Sequence, residues 1–87
     1  MKTSTVYLNH YIDPLYHSQH YMGSTIDLRR RLNEHWQGKA NCKISQAFYK
    51  KGIPFLLART WIGDRKLERK LKDRHNHRKL CPICKEE

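Results

Sequence analysis

The chain has 87 residues, room for one small domain with a single modest core. It carries 18 Lys and Arg against 8 Asp and Glu, a formal net charge of +10, so its surface attracts a polyanion, with nucleic acid the first candidate. No apolar run is long enough to span a bilayer, the basic residues are spread along the chain rather than gathered in one amphipathic segment, and the N-terminus lacks the apolar core of a secretory signal. These features predict a cytoplasmic, DNA-associated protein with no membrane partner.

In chain order, Ser4 to Tyr11, rich in Thr, Val and Tyr, predicts a first strand. Asp13-Pro14 then signals a turn and His20 to Gly23 resumes the strand pattern, which makes a hairpin. Ser24 or Thr25 caps a helix that runs to about Trp36, where Gln37-Gly38 stops it. A shorter helix covers Lys43 to Lys50, with Ile44, Ala47 and Phe48 on one side and Gly52 closing it. Ile53 to Trp61 is the most apolar run and reads as a central strand. Gly63-Asp64 opens a helix from Arg65 to about Asp73, with Leu67 and Leu71 pointing inward at a spacing of four. The fold class is α+β, a small three-stranded antiparallel sheet flanked by helices in the order β-β-α-α-β-α. A single domain spans residues 1–87, with 74–87 a basic tail containing Cys and His.

In the first helix Leu28, Leu32 and Trp36 form an apolar stripe, and Arg31 and His35, four apart, stack on a face beside it. Arg30 points to water. Arg29 flanks the stripe on its other side, so periodicity alone leaves Arg29 and Arg31 both open as the arginine that faces a site. Read alone, the arginine run is a solvated basic face.

Together these residues resemble the GIY-YIG nuclease family, whose first hairpin bears two short tyrosine motifs and whose next helix carries an arginine one turn ahead of a histidine or tyrosine. Thr5-Val6-Tyr7 stands at the first motif and Tyr21-Met22-Gly23 at the second; Arg31 follows Tyr21 by ten residues, and His35 comes one turn later. The segment "DRKLERKLK" is similar to the family's last conserved helix, which makes Glu68 the metal-binding glutamate. The resemblance covers roughly residues 4–73 and selects Arg31 over Arg29. Thr5 departs from the family's glycine, a mild change of backbone fit. An asparagine beyond the glutamate has only Asn76 as counterpart.

The resemblance implies a DNA endonuclease whose site is Tyr7, Tyr21, Arg31, His35 and Glu68, acting on duplex or branched DNA with Mg²⁺ or Mn²⁺. Each residue type suits that chemistry. A carboxylate holds a hard cation that keeps much of its water shell, and a guanidinium fork matches phosphoryl oxygens. A phenol near its usual pKa of about 10 is a poor base at neutral pH, so Tyr7 or Tyr21 needs nearby positive charge to lower it. His35 orients a tyrosine, relays the proton or is itself the base. Taken singly, the tyrosines read as strand aromatics and Glu68 as an ion-pair partner of Lys72 or Arg65; one alignment accounts for all five at once. Arg29, Arg30, Lys39, Lys43, Lys50, Lys51, Arg65, Arg69 and Lys70 are candidates for phosphate contacts that position without reading sequence, and Trp36 or Tyr49 for stacking on a base.

Three cysteines, an odd number, argue against a disulfide framework in a reducing compartment. His75, His77, Cys81 and Cys84 form a ligand set for tetrahedral Zn²⁺, although the His-x-His spacing is short for a zinc finger and the pattern favours free, reduced thiols. Cys42 reads as a loop or helix-start residue. Two further functions fit the composition: a catalytically inactive nucleic-acid-binding module on the same scaffold, and a zinc-stabilised interaction domain.

Overall fold

Thr5, Val6 and Tyr7 begin a run of β-favouring residues that builds the longest strand, β1 (Thr5–Leu15), in a computed structural model that describes residues 3–15, 18–40, 42–73 and 77–86. It pairs antiparallel with β2 (Ser18–Thr25) on one side and with β3 (Phe55–Ile62) on the other, so the sheet order is β2-β1-β3. Between β2 and β3 come α1 (Leu28–Trp36) and α2 (Lys43–Lys50); after β3 come α3 (Arg65–Asp73) and two short helices, α4 (His77–Leu80) and α5 (Pro82–Glu86). The α+β class and the order β-β-α-α-β-α are those expected from the sequence. The segment beyond residue 76 adds two helices to it.

Alternation along β1 divides the molecule into two layers. Val6 and Leu8 point to one face and pack with Met22, Leu71 and Cys81, with Leu67, Leu80 and Ile83 around them. Tyr11 points to the other face, where it packs with Phe48 and Phe55, and Leu32 and Ile44 close the cluster. Thus α3, α4 and α5 cover one side of the sheet, and α1 and α2 the other. The Tyr11 ring lies flat on Phe48, centroids 3.7 Å apart and 8° between planes.

Helix ends follow the glycines. Gly38 and Gly52 both adopt φ 72°, a left-handed conformation that side chains resist. Gly52 N–H donates to the Tyr49 carbonyl and Ile53 N–H to that of Phe48, while Gly38 and Lys39 do the same to His35 and Glu34, so each helix ends in a Schellman turn.

The structure corrects three local expectations. The cap of α1 is Asp27, whose carboxylate accepts from Arg30 N–H at 3.1 Å; Thr25 instead receives the Asp27 N–H through its hydroxyl. Asp13 and Pro14 lie within β1 rather than in a turn. The ladder to β3 has ended at Tyr11 and pairing with β2 is irregular between His10 and Leu15, so the missing Pro14 N–H breaks no regular ladder. The central strand is β1, and the apolar β3 is an edge strand with Leu56, Leu57 and Ile62 exposed. Asn9 and His10 disguise β1 as a half-polar strand, yet every residue from Val6 to Tyr11 is buried.

Phe48 is fully buried and carries the stack on Tyr11. Phe48→Ala is expected to lower unfolding free energy by about 3–5 kcal/mol, read from urea midpoints, and a loss under about 1 kcal/mol contradicts this packing.

Candidate active site

The register sets Tyr7 of β1 opposite Gly23 of β2, on the face covered by α1 and α2. A Cβ built on Gly23 would stand 2.6 Å from the Tyr7 hydroxyl oxygen and 3.1 Å from Cε1 of Tyr21. The glycine is therefore where the Tyr7 ring crosses the neighbouring strand. Any side chain there pushes the hydroxyl away.

Helix α1 brings its Arg31 and His35 face down on this phenol. Arg31 Nε–H donates to Tyr7 Oη at 3.3 Å, and Tyr7 Oη lies 2.9 Å from His35 Nε2. His35 Nδ1 in turn lies 2.6 Å from Ser45 Oγ on α2, and that oxygen also accepts from the Tyr11 hydroxyl at 3.5 Å. Because Tyr7 already accepts from Arg31, its own proton points to Nε2, which puts the ring proton of neutral His35 on Nδ1, facing Ser45. The result is a directed chain, Arg31 to Tyr7 to His35 to Ser45. Tyr21 completes the cluster, with its ring centroid 6.1 Å from Tyr7 and 4.9 Å from His35.

Burial governs the charges. Tyr7 and His35 are almost wholly shielded from solvent, and Tyr21 is half-buried. Desolvation pushes the Tyr7 phenol above its ordinary value, and the hydrogen bond and charge of Arg31 pull it back only in part. Tyr21 is raised further, by burial first and by neighbouring Tyr7 second. Arg31 acts on both phenols in the lowering direction, but in the free protein removing them from water outweighs that one cation. His35 moves the other way, to about 4, through burial and the Arg31 charge, so it is a neutral imidazole at pH 7. Arg31 is stabilised as a cation by its hydrogen bond to Tyr7.

Glu68 sits on α3, half-buried, and its charge reaches far enough to raise the Tyr7 phenol. It pairs with Lys72 at 2.9 Å, and the Lys72 ammonium also lies 5.9 Å from the Tyr21 ring centroid. Helix α3 packs along β2, so its carboxylate bears on the phenols although Leu67 and Leu71 of the same helix pack on the opposite face.

Of the surface residues proposed for phosphate contacts, Arg29, Arg30, Lys39, Lys43, Lys50, Lys51, Arg65, Arg69 and Lys70 are all exposed. Arg30 forms an exposed ion pair with Glu34 at 3.5 Å. Trp36 is half-exposed, with one face stacked on Phe55 at 4.5 Å, and Tyr49 is exposed beside it along a groove that reaches His35 and Ser45. Asn76 and His75 lie outside the described residues, as does the side chain of His77. Cys81 and Cys84 instead meet His10 and His20.

Sequence reasoning assigned no role to Ser45, His10 or His20. A signal for Ser45 existed: it is a polar residue three positions before Phe48 on the buried side of α2. His10 and His20 could be joined only through the hairpin register.

The profile of the GIY-YIG catalytic domain matches residues 5–80, most of the chain. The chain therefore belongs to the GIY-YIG nuclease family. Searches of curated proteins and of solved structures give no significant match.

Two predictions come from this geometry. Gly23→Ala is expected to keep the fold, by circular dichroism, while lowering any strand-nicking activity at least about tenfold, because a displacement of the order of 1 Å at a reacting group has that effect. The depressed His35 pKa also links to stability. An unfolded His35 takes up a proton near pH 6.5 that the folded site refuses down to about pH 4, so its contribution is complete above pH 6.5 and is lost as pH falls through that window. The loss amounts to about 3 kcal/mol. Urea midpoints of wild type and His35→Gln should diverge less at the acid end of that window than above it, and parallel curves exclude a buried neutral histidine.

Proposed function

We propose that the protein is a metal-dependent DNA endonuclease in which Tyr7 and His35 together activate the attacking water. The observation that carries this reading is the directed chain through Arg31, Tyr7, His35 and Ser45. A raised phenol does not stand as a phenolate at neutral pH, but it can accept a proton from water as it hands its own to a neutral imidazole. The site supplies that acceptor 2.9 Å away. The imidazolium formed puts its Nδ1–H on Ser45, and hydroxide attacks the phosphorus. Tyr21, half-buried, lies on the more solvent-accessible side of the pair and orients the substrate phosphate beside Arg31.

Arg31 has a second task. Its Nε engages Tyr7, the guanidinium also bears on Tyr21, and its Nη1 is 3.8 Å from Glu34, weak contacts that phosphoryl oxygens can displace from the fork. Turning toward a phosphate would also uncover the Tyr7 hydroxyl for water.

The donor chemistry at Glu68 fits a hard divalent cation, since it offers carboxylate oxygen and already draws a positive charge, the Lys72 ammonium, to 2.9 Å. Bound there, Mg²⁺ or Mn²⁺ would stabilise charge on the phosphoryl oxygens and the leaving 3′ oxygen. Lys72 stands where its own charge assists, near both Glu68 and Tyr21. The exposed basic residues on α1, α2 and α3 hold the DNA through its phosphates, with a strong salt dependence and little sequence preference.

The Glu68–Lys72 pair also suits a second reading, a module that binds nucleic acid without cutting it. Supercoiled plasmid separates the two. Wild type is expected to nick it when Mg²⁺ is added and not when Mg²⁺ is withheld, while Glu68→Ala binds equally well and nicks at least about 100-fold more slowly. Equal nicking by both proteins ends the assignment of Glu68, and binding without nicking by wild type selects the second reading.

A further inference from the structure

On the face of the sheet opposite Tyr7, the geometry points to a structural Zn²⁺ site formed by His10, His20, Cys81 and Cys84. Its four donor atoms, two imidazole nitrogens and two sulfurs, all lie within 4.8 Å of one another. His10 and His20 are direct partners across the β1–β2 ladder, and Cys81 and Cys84 bracket the start of α5.

The distances are those that ligands of one shared ion would keep. His10 Nδ1 lies 3.2 Å from His20 Nε2, 3.4 Å from Cys81 Sγ and 3.5 Å from Cys84 Sγ, and Cys84 Sγ is 3.2 Å from His20 Nε2. One imidazole nitrogen offers a single proton or a single lone pair, so it cannot bond three neighbours at once. Tetrahedral zinc, with nitrogen at about 2.0–2.1 Å and sulfur at about 2.3 Å, places its ligand atoms about 3.3–3.8 Å apart. The observed separations match that spacing closely.

The chemistry is equally specific. Two thiolates balance the charge of Zn²⁺, which suits a site where Cys81 and His10 are fully or almost fully buried. Nitrogen and sulfur donors select zinc over the hard cation suited to Glu68. Four protein ligands leave no open position, so the ion holds structure and does not react.

The fold supplies a reason for such a clip. Helices of four and five residues do not stand alone in water, yet α4 and α5 carry Leu80, Cys81 and Ile83 into the cluster around Val6 and Leu8. A small domain with a net charge of +10 gains much from a covalent-strength tie across that face. Cys81 and Cys84 also lie beyond the matched span of the family, residues 5–80, so half of the ligand set is not part of the common catalytic domain.

The test needs no nuclease activity. Protein purified from zinc-supplemented cells is expected to carry one zinc per chain by mass spectrometry of metals. Protein reconstituted with Co²⁺ is expected to show the intense visible bands of a four-coordinate ion together with thiolate-to-cobalt charge transfer. Cys84→Ser should lose the charge-transfer intensity in part and bind zinc at least about tenfold more weakly, whereas Cys42→Ser should change neither. Wild-type protein that stays zinc-free and gives only a six-coordinate cobalt spectrum overturns the proposal. So does stoichiometric zinc whose affinity is the same in wild type and Cys84→Ser. The cobalt spectrum is taken on wild type, so a variant that fails to fold leaves the test intact.

Discussion

The period of two along β1 is the constraint on which the molecule rests. Successive side chains of a strand go to opposite faces, and this strand is central, so each face receives residues that must be buried. One set, Tyr7, Asn9 and Tyr11, lies under α1 and α2; the other, Val6, Leu8 and His10, lies under the later helices. A slip of one residue would exchange the phenol for an aliphatic side chain and send His10 into the wrong layer. Hydrophobic packing, the hydrogen-bonded chain and the His/Cys cluster all enforce the same register, which makes it hard to lose.

The two polar clusters treat burial differently. Beneath α1 the groups stay neutral or share one cation, and the low dielectric raises phenols while holding an imidazole unprotonated. On the far face, two thiols and two imidazoles crowd around one point, with His10 Nδ1 facing three neighbours at once. Asn9 lies between these regimes. Its amide is fully buried, and among the described residues it has no hydrogen-bond partner, so it stores a desolvation penalty in the central strand on the same face as Tyr7.

Much of the fold was legible because its signals are local. Gly38 and Gly52 end their helices by backbone geometry, and the spacing of Leu67 and Leu71 fixes the inward face of α3. Most of what failed depended on contacts between distant segments. The apolar run of β3 looked central because hydrophobicity was taken for burial, whereas the central strand tolerates Asn9 and His10 and the edge strand exposes Leu56 and Leu57. Asp27 won the α1 cap from Ser24 and Thr25 by one favourable backbone position. At the site, the family's letters identified which residues to examine but not the role of Gly23, which is spatial: it leaves room for a ring from the adjacent strand. Ser45 was hidden in the same way, since its partner lies ten residues earlier on another helix. The net tyrosine pKa shifts of the free protein were not legible, because charge is visible in a sequence and desolvation is not.

The C-terminal helices alter what counts as the boundary of this protein. Residue 80 closes the span shared with the family, yet the very next side chain, Cys81, is fully buried against Val6 and Leu8, and Ile83 follows it. A gene fragment trimmed to the conserved span would retain Tyr7, Tyr21, Arg31, His35 and Glu68 and expose the underside of the strand that holds Tyr7. Its failure to act would then report a missing floor rather than a missing reagent.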